Sequence, residues 1–186
     1  MLSSRSLKCL ALPVLLLVGA CDRQAEPQGQ QEAAGAKVLS GTLDRSHAGK
    51  PMPAFTLEDA AGRTLELASL NGQPVLMNLW ATWCAPCVVE LPMLDTLAGD
   101  MEGELRVLTV SQDMQDTDKV ADFLTERGGE RLEPWLDTKS DLTFKLEAQT
   151  LPTTILYDAE GEEVWRYVGG HDWSGAAARE LIAEGL

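Results

Sequence analysis

The strongest constraint on the fold is an apolar run, Pro74–Trp80, that passes directly into a helical pattern. A nearly continuous apolar run of this length is typical of a central strand buried on both faces of a sheet. From Ala85 to Ala98 the apolar residues at positions 87, 91, 94 and 98 recur at helical spacing. Two cysteines, Cys84 and Cys87, lie where the strand meets the helix. The sequence therefore predicts a buried strand followed by a helix that begins with a thiol pair.

Strands and helices alternate along the chain from residue 51 to residue 186. A β-hairpin is predicted at Ala54–Leu57 and Arg63–Leu67, because a turn that contains glycine separates the two runs. The remaining predicted strands are Leu105–Val110, Thr153–Tyr157 and Glu162–Val168. The remaining predicted helices are Asp116–Arg127, Asp141–Glu147 and Trp173–Ala183. Strands interleaved with helices predict one α/β sandwich domain over residues 51–186.

Residues 1–20 have the length and charge of a secretory signal. Two basic residues precede the 11-residue apolar stretch Leu10–Ala20, which is shorter than the roughly 18–20 residues of a membrane-spanning helix. The stretch ends in Leu-Val-Gly-Ala-Cys, which resembles the bacterial lipobox. The resemblance implies that Cys21 carries lipid, becomes the first residue of the mature protein and anchors it to a membrane. An ordinary secretory cleavage site after Ala20 is the alternative.

The segment from residue 21 to residue 50 is rich in Gln, Ala, Glu and Gly and has little apolar periodicity. Because such a composition cannot bury apolar surface, we predict a flexible tether between the lipid anchor and the domain. The whole chain carries a formal net charge of −14. This charge repels phosphate groups and argues against nucleic acid as a partner, whereas it attracts basic target proteins.

The sequence contains four cysteines, of which Cys9 leaves with the leader and Cys21 carries lipid. Cys84 and Cys87 are then the thiols that remain in the folded domain. A single C-x-x-C pair cannot join distant elements of a domain, so it is either reactive or a pair of metal ligands. A soft-metal site of Cys84, Cys87 and His171 is the metal-binding alternative, although these residues lack a recognisable ligand spacing.

The position of the two cysteines on the predicted helix favours disulfide exchange. The helix dipole and the free amides at the helix N-terminus favour the thiolate form of Cys84. Cys87, one turn later, lies on the apolar stripe and is expected to be shielded. An exposed nucleophile beside a shielded second thiol is suited to attack a partner disulfide and then to resolve the mixed disulfide. A thiol peroxidase is an alternative; Thr82 precedes Cys84, but the proline that peroxide activation needs is absent.

Two motifs together resemble the TlpA/ResA-like branch of the thioredoxin family. The first is Val75–Cys87 followed by Glu-Leu-Pro at residues 90–92, and the second is Leu151–Asp158 followed by Glu-Gly. The resemblance covers about residues 50–186. It implies a thioredoxin-like three-layer α/β sandwich with an N-terminal β-hairpin extension, thiol–disulfide oxidoreductase activity and no bound organic cofactor or metal.

The resemblance also assigns residues to the site. It implies a cis Pro152 that faces the two sulfur atoms and keeps metal ions away, and a Leu151 backbone that pairs with a substrate strand. Ala85 and Pro86, between the cysteines, are expected to tune the pair. Trp83, next to the nucleophile, is expected to line the partner surface. The other tryptophans, at positions 80, 135, 165 and 173, are assigned to packing.

A glutamate is the expected proton acceptor. Thioredoxin has a buried aspartate where this chain has Asn78, and an asparagine cannot take a proton from Cys87. Glu90 follows Cys87 by three residues and is therefore its neighbour on a helix. The resemblance places a functional glutamate here, and burial would raise its pKa. A solvated surface glutamate is the alternative.

These features together predict a monomeric, lipid-anchored thiol–disulfide oxidoreductase on the periplasmic face of the inner membrane. The resemblance implies a reductase of protein disulfides, supplied with electrons by a membrane thiol carrier. Its substrates would be oxidised protein thiols, for example in cytochrome c maturation or copper-site assembly. An oxidase or isomerase remains open, because the direction depends on reduction potential and partners rather than on the motif.

Overall fold

Eight strands form one mixed sheet in the computed structural model, which describes residues 39–186. The strands are β1 (Gly41–Asp44), β2 (Thr56–Glu58), β3 (Thr64–Glu66), β4 (Val75–Trp80), β5 (Arg106–Ser111), β6 (Trp135–Leu136), β7 (Thr153–Tyr157) and β8 (Glu163–Gly169). Their order across the sheet is β1-β8-β7-β4-β5-β6-β2-β3. The central strand β4 is parallel to β5 and antiparallel to β7. The carboxyl ends of β4 and β5 therefore lie side by side at the same end of the sheet.

Helices cover both faces of this sheet. The α-helices are α1 (Ala85–Asp100), α2 (Val120–Glu126), α3 (Asp141–Lys145) and α4 (Ala176–Ile182), with short 3-10 helices at Leu67–Leu70, Thr117–Lys119 and Ala183–Gly185. Side chains of β4 alternate between the faces. Leu76 and Trp80 pack in a core with α1, α2 and α4, whereas Met77 and Leu79 pack in a second core with α3. The three-layer sandwich is confirmed.

The predicted hairpin is also confirmed, since β2 and β3 pair from Thr56 opposite Glu66 to Glu58 opposite Thr64. This hairpin extends the sheet beyond β6, to which β2 pairs at a single position. The sequence did not predict β6, because two residues are too few for any periodicity to be visible. The predicted helix at residues 116–127 is shorter than expected: Asp116 adopts a left-handed backbone conformation, and the regular α-helix begins only at Val120.

The prediction of a flexible tether up to residue 50 is wrong for its last part. Strand β1 pairs with the outer edge of β8, from Gly41 opposite Gly169 to Asp44 opposite Arg166. Backbone pairing to an open sheet edge orders this segment without an apolar pattern of its own. The backbone of β1 passes so close to Tyr167 that position 41 requires a glycine, since a Cβ there would lie 2.5 Å from the Tyr167 ring.

The predicted signal peptide, Cys21 and the first part of the tether lie outside the described residues. Within residues 39–186, no helix has the length and apolar character needed to cross a membrane.

Candidate active site

The two cysteines lie where β4 gives way to α1, as the sequence predicts. Cys84 is the N-cap residue of α1 and forms a disulfide with Cys87, with a Cα–Cα separation of 5.3 Å. The Cys84 carbonyl accepts the first helical hydrogen bond, from the Val88 amide at 3.1 Å. The amides of Ala85 and Cys87 precede this ladder, and Pro86 has no N–H. After reduction, this amide-rich helix end favours a thiolate at Cys84.

The exposure of the two sulfur-bearing residues differs less than the sequence analysis predicts. Cys84 is 6% exposed and Cys87 is 1% exposed, so the expected order holds, but the predicted open nucleophile is wrong for this disulfide form. The bond to the buried Cys87 holds the Cys84 side chain inward. Trp83, by contrast, is 70% exposed and stands on the surface next to Cys84. The indole ring is therefore placed to contact a partner that approaches Cys84.

The Leu151–Pro152 peptide bond is cis, as the resemblance implies. Pro152 directly precedes β7, in which Thr153 lies opposite Leu79 of β4. This register places Pro152 beside the carboxyl end of β4, at the end of the sheet where α1 begins. The Leu151 side chain packs against both cores, which leaves its backbone as the part of the residue suited to pair with a substrate strand.

Glu90 is fully buried, which rules out the surface alternative. Its Oε1 accepts hydrogen bonds from the His171 backbone amide at 2.6 Å and from Trp173 Nε1 at 3.1 Å, and its Oε2 accepts a longer one from Asn78 Nδ2 at 3.4 Å. Burial raises the pKa of Glu90 to about 7, although these three hydrogen bonds oppose the shift. The carboxyl group can therefore gain or lose a proton near neutral pH, one helical turn from Cys87.

The hydrogen-bond partners of Glu90 come from two parts of the chain: Asn78 lies in β4, and His171 and Trp173 follow β8. Asn78 Nδ2 also donates to Thr154 Oγ1 at 2.9 Å, which connects the glutamate to the strand that follows the cis proline. Trp173 was predicted to be a packing residue, and it is buried, but its indole N–H also binds Glu90. Burial lowers the pKa of His171, whose backbone amide rather than its ring contacts the glutamate. His171 and Trp173 lie more than 80 positions from Glu90, and no local pattern in the sequence predicts these two contacts.

A groove of about 870 Å³ opens beside Trp83 and extends towards α2. Its lining combines apolar and acidic side chains: Trp83, Met114, Phe123, Asp113, Asp116, Asp122 and Glu126 are among them. Met114 is 70% exposed, like Trp83. The surface next to the disulfide therefore combines apolar and acidic side chains, with Lys119 paired to Asp116 among them.

Two observations bear on the alternatives. Within residues 39–186, no group of three or more His, Cys, Asp or Glu side chains is arranged to hold a metal ion. The Thr82 hydroxyl, which a peroxidase would need near the thiolate, donates instead to Asp113 Oδ1 at 2.6 Å. The site as built is a disulfide at a helix N-terminus, a cis proline and a buried acid, which together define a thiol–disulfide oxidoreductase of thioredoxin type.

Comparisons with known proteins agree with this class. The model of the AhpC/TSA family matches residues 48–169, and the chain belongs to that family. Thiol-disulfide oxidoreductase ResA of Halalkalibacterium halodurans is 32% identical over 129 residues, which cover 68% of this chain and 73% of the relative. Thiol:disulfide interchange protein DsbE of Pseudomonas fluorescens biotype C is 37% identical over 123 residues, covering 65% of this chain and 66% of the relative. The protein is a thiol–disulfide oxidoreductase similar to ResA and DsbE.

Solved structures give the same result. A thiol-disulfide oxidoreductase of Bacteroides vulgatus has a TM-score of 0.64 and 27% identity, with 75% of this chain and 96% of that chain covered. The exposed lipoprotein thioredoxin Etrx1 of Streptococcus pneumoniae has a TM-score of 0.58 and 27% identity, with 70% and 98% covered. The thioredoxin-like fold that the sequence implies is confirmed.

Proposed function

We propose that this protein reduces disulfide bonds of other proteins outside the cytoplasm while lipid on Cys21 anchors it to the inner membrane. The observation that carries its exchange chemistry is Glu90, a buried acid with a pKa of about 7 placed one helical turn from Cys87. Such a group accepts a proton from the resolving thiol at the pH of the compartment. The reducing direction follows the resemblance to the ResA-like branch. The identification as an oxidoreductase does not depend on this direction or location.

The proposed reaction has two exchange steps. The Cys84 thiolate attacks one sulfur of a substrate disulfide, forms a mixed disulfide and releases the other substrate sulfur as a thiolate, which takes up a proton. Glu90 then removes the proton from Cys87, and the Cys87 thiolate attacks Cys84. The Cys84–Cys87 disulfide forms, the second substrate sulfur leaves as a thiolate that takes up the proton from Glu90, and the substrate is released as a dithiol. Two electrons pass from the cysteine pair to the substrate, and a membrane thiol carrier returns them.

The proposed anchor is supported by a resemblance in sequence and by a related protein, and the proposed substrates are supported by the charge of the groove. The lipobox resemblance at Cys21 agrees with the name of Etrx1, an exposed lipoprotein thioredoxin that shares 27% identity with this chain. The excess of acidic side chains in the groove beside Trp83 favours oxidised protein substrates with basic segments, such as cytochrome or copper-site precursors. We propose that the protein acts as a monomer with no cofactor beyond the cysteine pair.

Alkylation of thiols in intact cells tests the direction and the anchor together. Rapid acid quenching and labelling are expected to find the Cys84–Cys87 pair mainly reduced in cells with the unmodified protein. The matched variant Cys21→Ala is expected to shift the protein to the soluble fraction and its pair towards the disulfide, because it is no longer held near its reductant. A pair that is mainly oxidised in the anchored protein would contradict a reductase.

A second prediction concerns Trp83 and the partner surface. Trp83→Ala is expected to raise KM for a protein disulfide about five- to tenfold, as for an exposed aromatic anchor at an interface, and to change kcat less than twofold. Because Trp83 is exposed, its loss is expected to change the free energy of unfolding by less than about 0.5 kcal/mol. Steady-state kinetics and urea denaturation provide the two measurements.

The buried neighbour Trp80 supplies the contrast for this variant. Trp80→Ala removes a fully buried indole and is expected to cost about 3–5 kcal/mol of stability. Unchanged KM in Trp83→Ala would show that the exposed indole contributes nothing to partner binding.

A further inference from the structure

A buried carboxylate outside the cysteine motif holds the segment that carries the nucleophile. Asp113 follows β5 by two residues and is 6% exposed. Because β4 and β5 are parallel, the residues after β5 lie beside those after β4. The Gln112 amide donates to the Trp80 carbonyl at 2.8 Å and extends this alignment past the last paired residues. Asp113 is thereby brought against the segment between β4 and α1.

Asp113 binds that segment with both carboxylate oxygens. Its Oδ1 accepts the Thr82 hydroxyl at 2.6 Å, and its Oδ2 accepts the Thr82 backbone amide at 3.0 Å. Oδ2 also accepts the Ser111 hydroxyl at 2.7 Å, and the Asp113 amide donates to Ser111 Oγ at 3.0 Å. The carboxylate therefore joins the end of β5 to Thr82, two residues before Cys84.

Thr82 and Trp83 lie between two residues that the core already holds. Ala81 and Cys84 are buried in the hydrophobic core, and the Cys84 amide donates to the Ala81 carbonyl at 3.1 Å. Trp83 between them is exposed to solvent. The clasp by Asp113 ties Thr82 to the end of β5, and a charge-assisted pair of this kind is stronger than a neutral hydrogen bond.

We infer that Asp113 is a positioning residue for disulfide exchange: it fixes Thr82 so that the Cys84 sulfur stays at the N-terminal end of α1. A nucleophile that moves away from the helix amides loses their stabilisation of its thiolate. Loss of the clasp is therefore expected to raise the pKa of the Cys84 thiol and to slow its attack. This role applies to exchange in either direction and does not depend on the proposed reductase.

Three substitutions in the full-length protein test the clasp. Asp113→Asn keeps the size of the side chain but removes its negative charge, so any hydrogen bond to Thr82 that remains is a weaker, neutral one. Thr82→Val removes only the hydroxyl contact. Both are expected to slow single-turnover attack of Cys84 on a protein disulfide at least about tenfold, since a hydrogen bond to a charged group contributes more than a neutral one. Thr82→Ser keeps the hydroxyl, and its rate is expected to stay within twofold of that of the unmodified protein.

The pH profile of Cys84 alkylation separates positioning from stability. Asp113→Asn and Thr82→Val are expected to shift the midpoint of this profile to higher pH, and Asp118→Asn, an exposed neighbour, is expected to leave it unchanged. The double variant is expected to be no slower than the slower single variant, because the contact that Thr82→Val removes is one of the contacts that Asp113→Asn weakens. A lower melting temperature with unchanged rate and profile would overturn the inference. If Asp113→Asn does not fold, Thr82→Val decides the matter by the same readouts.

Discussion

Replacing Cys84 by alanine is expected to slow disulfide exchange at least about a hundredfold, because it removes the thiolate at the helix N-terminus and leaves only the more deeply buried Cys87 thiol of the pair. The geometry gives the reason: Cys84 caps α1, and Cys87 is the more deeply buried of the pair. An insulin-reduction assay provides the measurement. Full activity in Cys84→Ala would contradict the mechanism.

The matched variant Cys87→Ala is expected to behave differently. Its Cys84 thiolate still attacks, but resolution is blocked, so a mixed disulfide with the substrate accumulates. Non-reducing electrophoresis of the reaction is expected to show this adduct for Cys87→Ala and none for Cys84→Ala. Adducts of equal amount in both variants would show that the two cysteines do not have separate roles.

A second large effect is expected at Glu90. Burial raises the pKa of this carboxyl from its ordinary value of 4.5 to about 7, so the folded state favours its protonated form. The protonated Glu90 carboxyl therefore contributes to the free energy of unfolding in full below pH 4.5, and this contribution is lost as the pH rises through 7. A shift of this size corresponds to roughly 3 kcal/mol. The free energy of unfolding of Glu90→Gln, relative to the unmodified protein, is therefore expected to rise by about that amount between pH 4 and pH 8.

The same variant tests the proton transfer. An amide cannot accept the Cys87 proton, so Glu90→Gln is expected to slow resolution of the mixed disulfide about tenfold to a hundredfold at pH 7, within the usual range for general-base catalysis, while attack by Cys84 changes little. Glu102→Gln, an exposed carboxyl at the end of the same helical region, is the control for both measurements. A resolution rate that is independent of position 90 would exclude Glu90 as the base.

Local pattern was sufficient for much of the fold and for the centre of the site. The apolar run of β4, the stripe of α1 and the spacing from Cys87 to Glu90 are all short-range features. They placed the disulfide at the start of α1 and Glu90 one turn after Cys87, but they left the burial of Glu90 open. The cis Pro152 came from a resemblance between motifs rather than from physical reasoning on the residue itself.

What the sequence did not show depends on contacts between distant residues. Trp173 reaches Glu90 across 83 positions and Asp113 reaches Thr82 across 31. Nothing in the local pattern of either residue distinguishes these contacts from packing or solvation. Strand β1 was assigned to the tether because its order comes from the edge of β8 and not from its own composition.

The central claim is that Cys84 attacks and Cys87 resolves. The most direct measurement mixes the reduced protein with one equivalent of a protein disulfide, quenches with acid within milliseconds to seconds and maps the linkage by peptide mass spectrometry. The account predicts an early adduct bonded through Cys84 that gives way to the Cys84–Cys87 disulfide and reduced substrate. An adduct bonded through Cys87, or two thiols that remain unmodified at neutral pH, would contradict it.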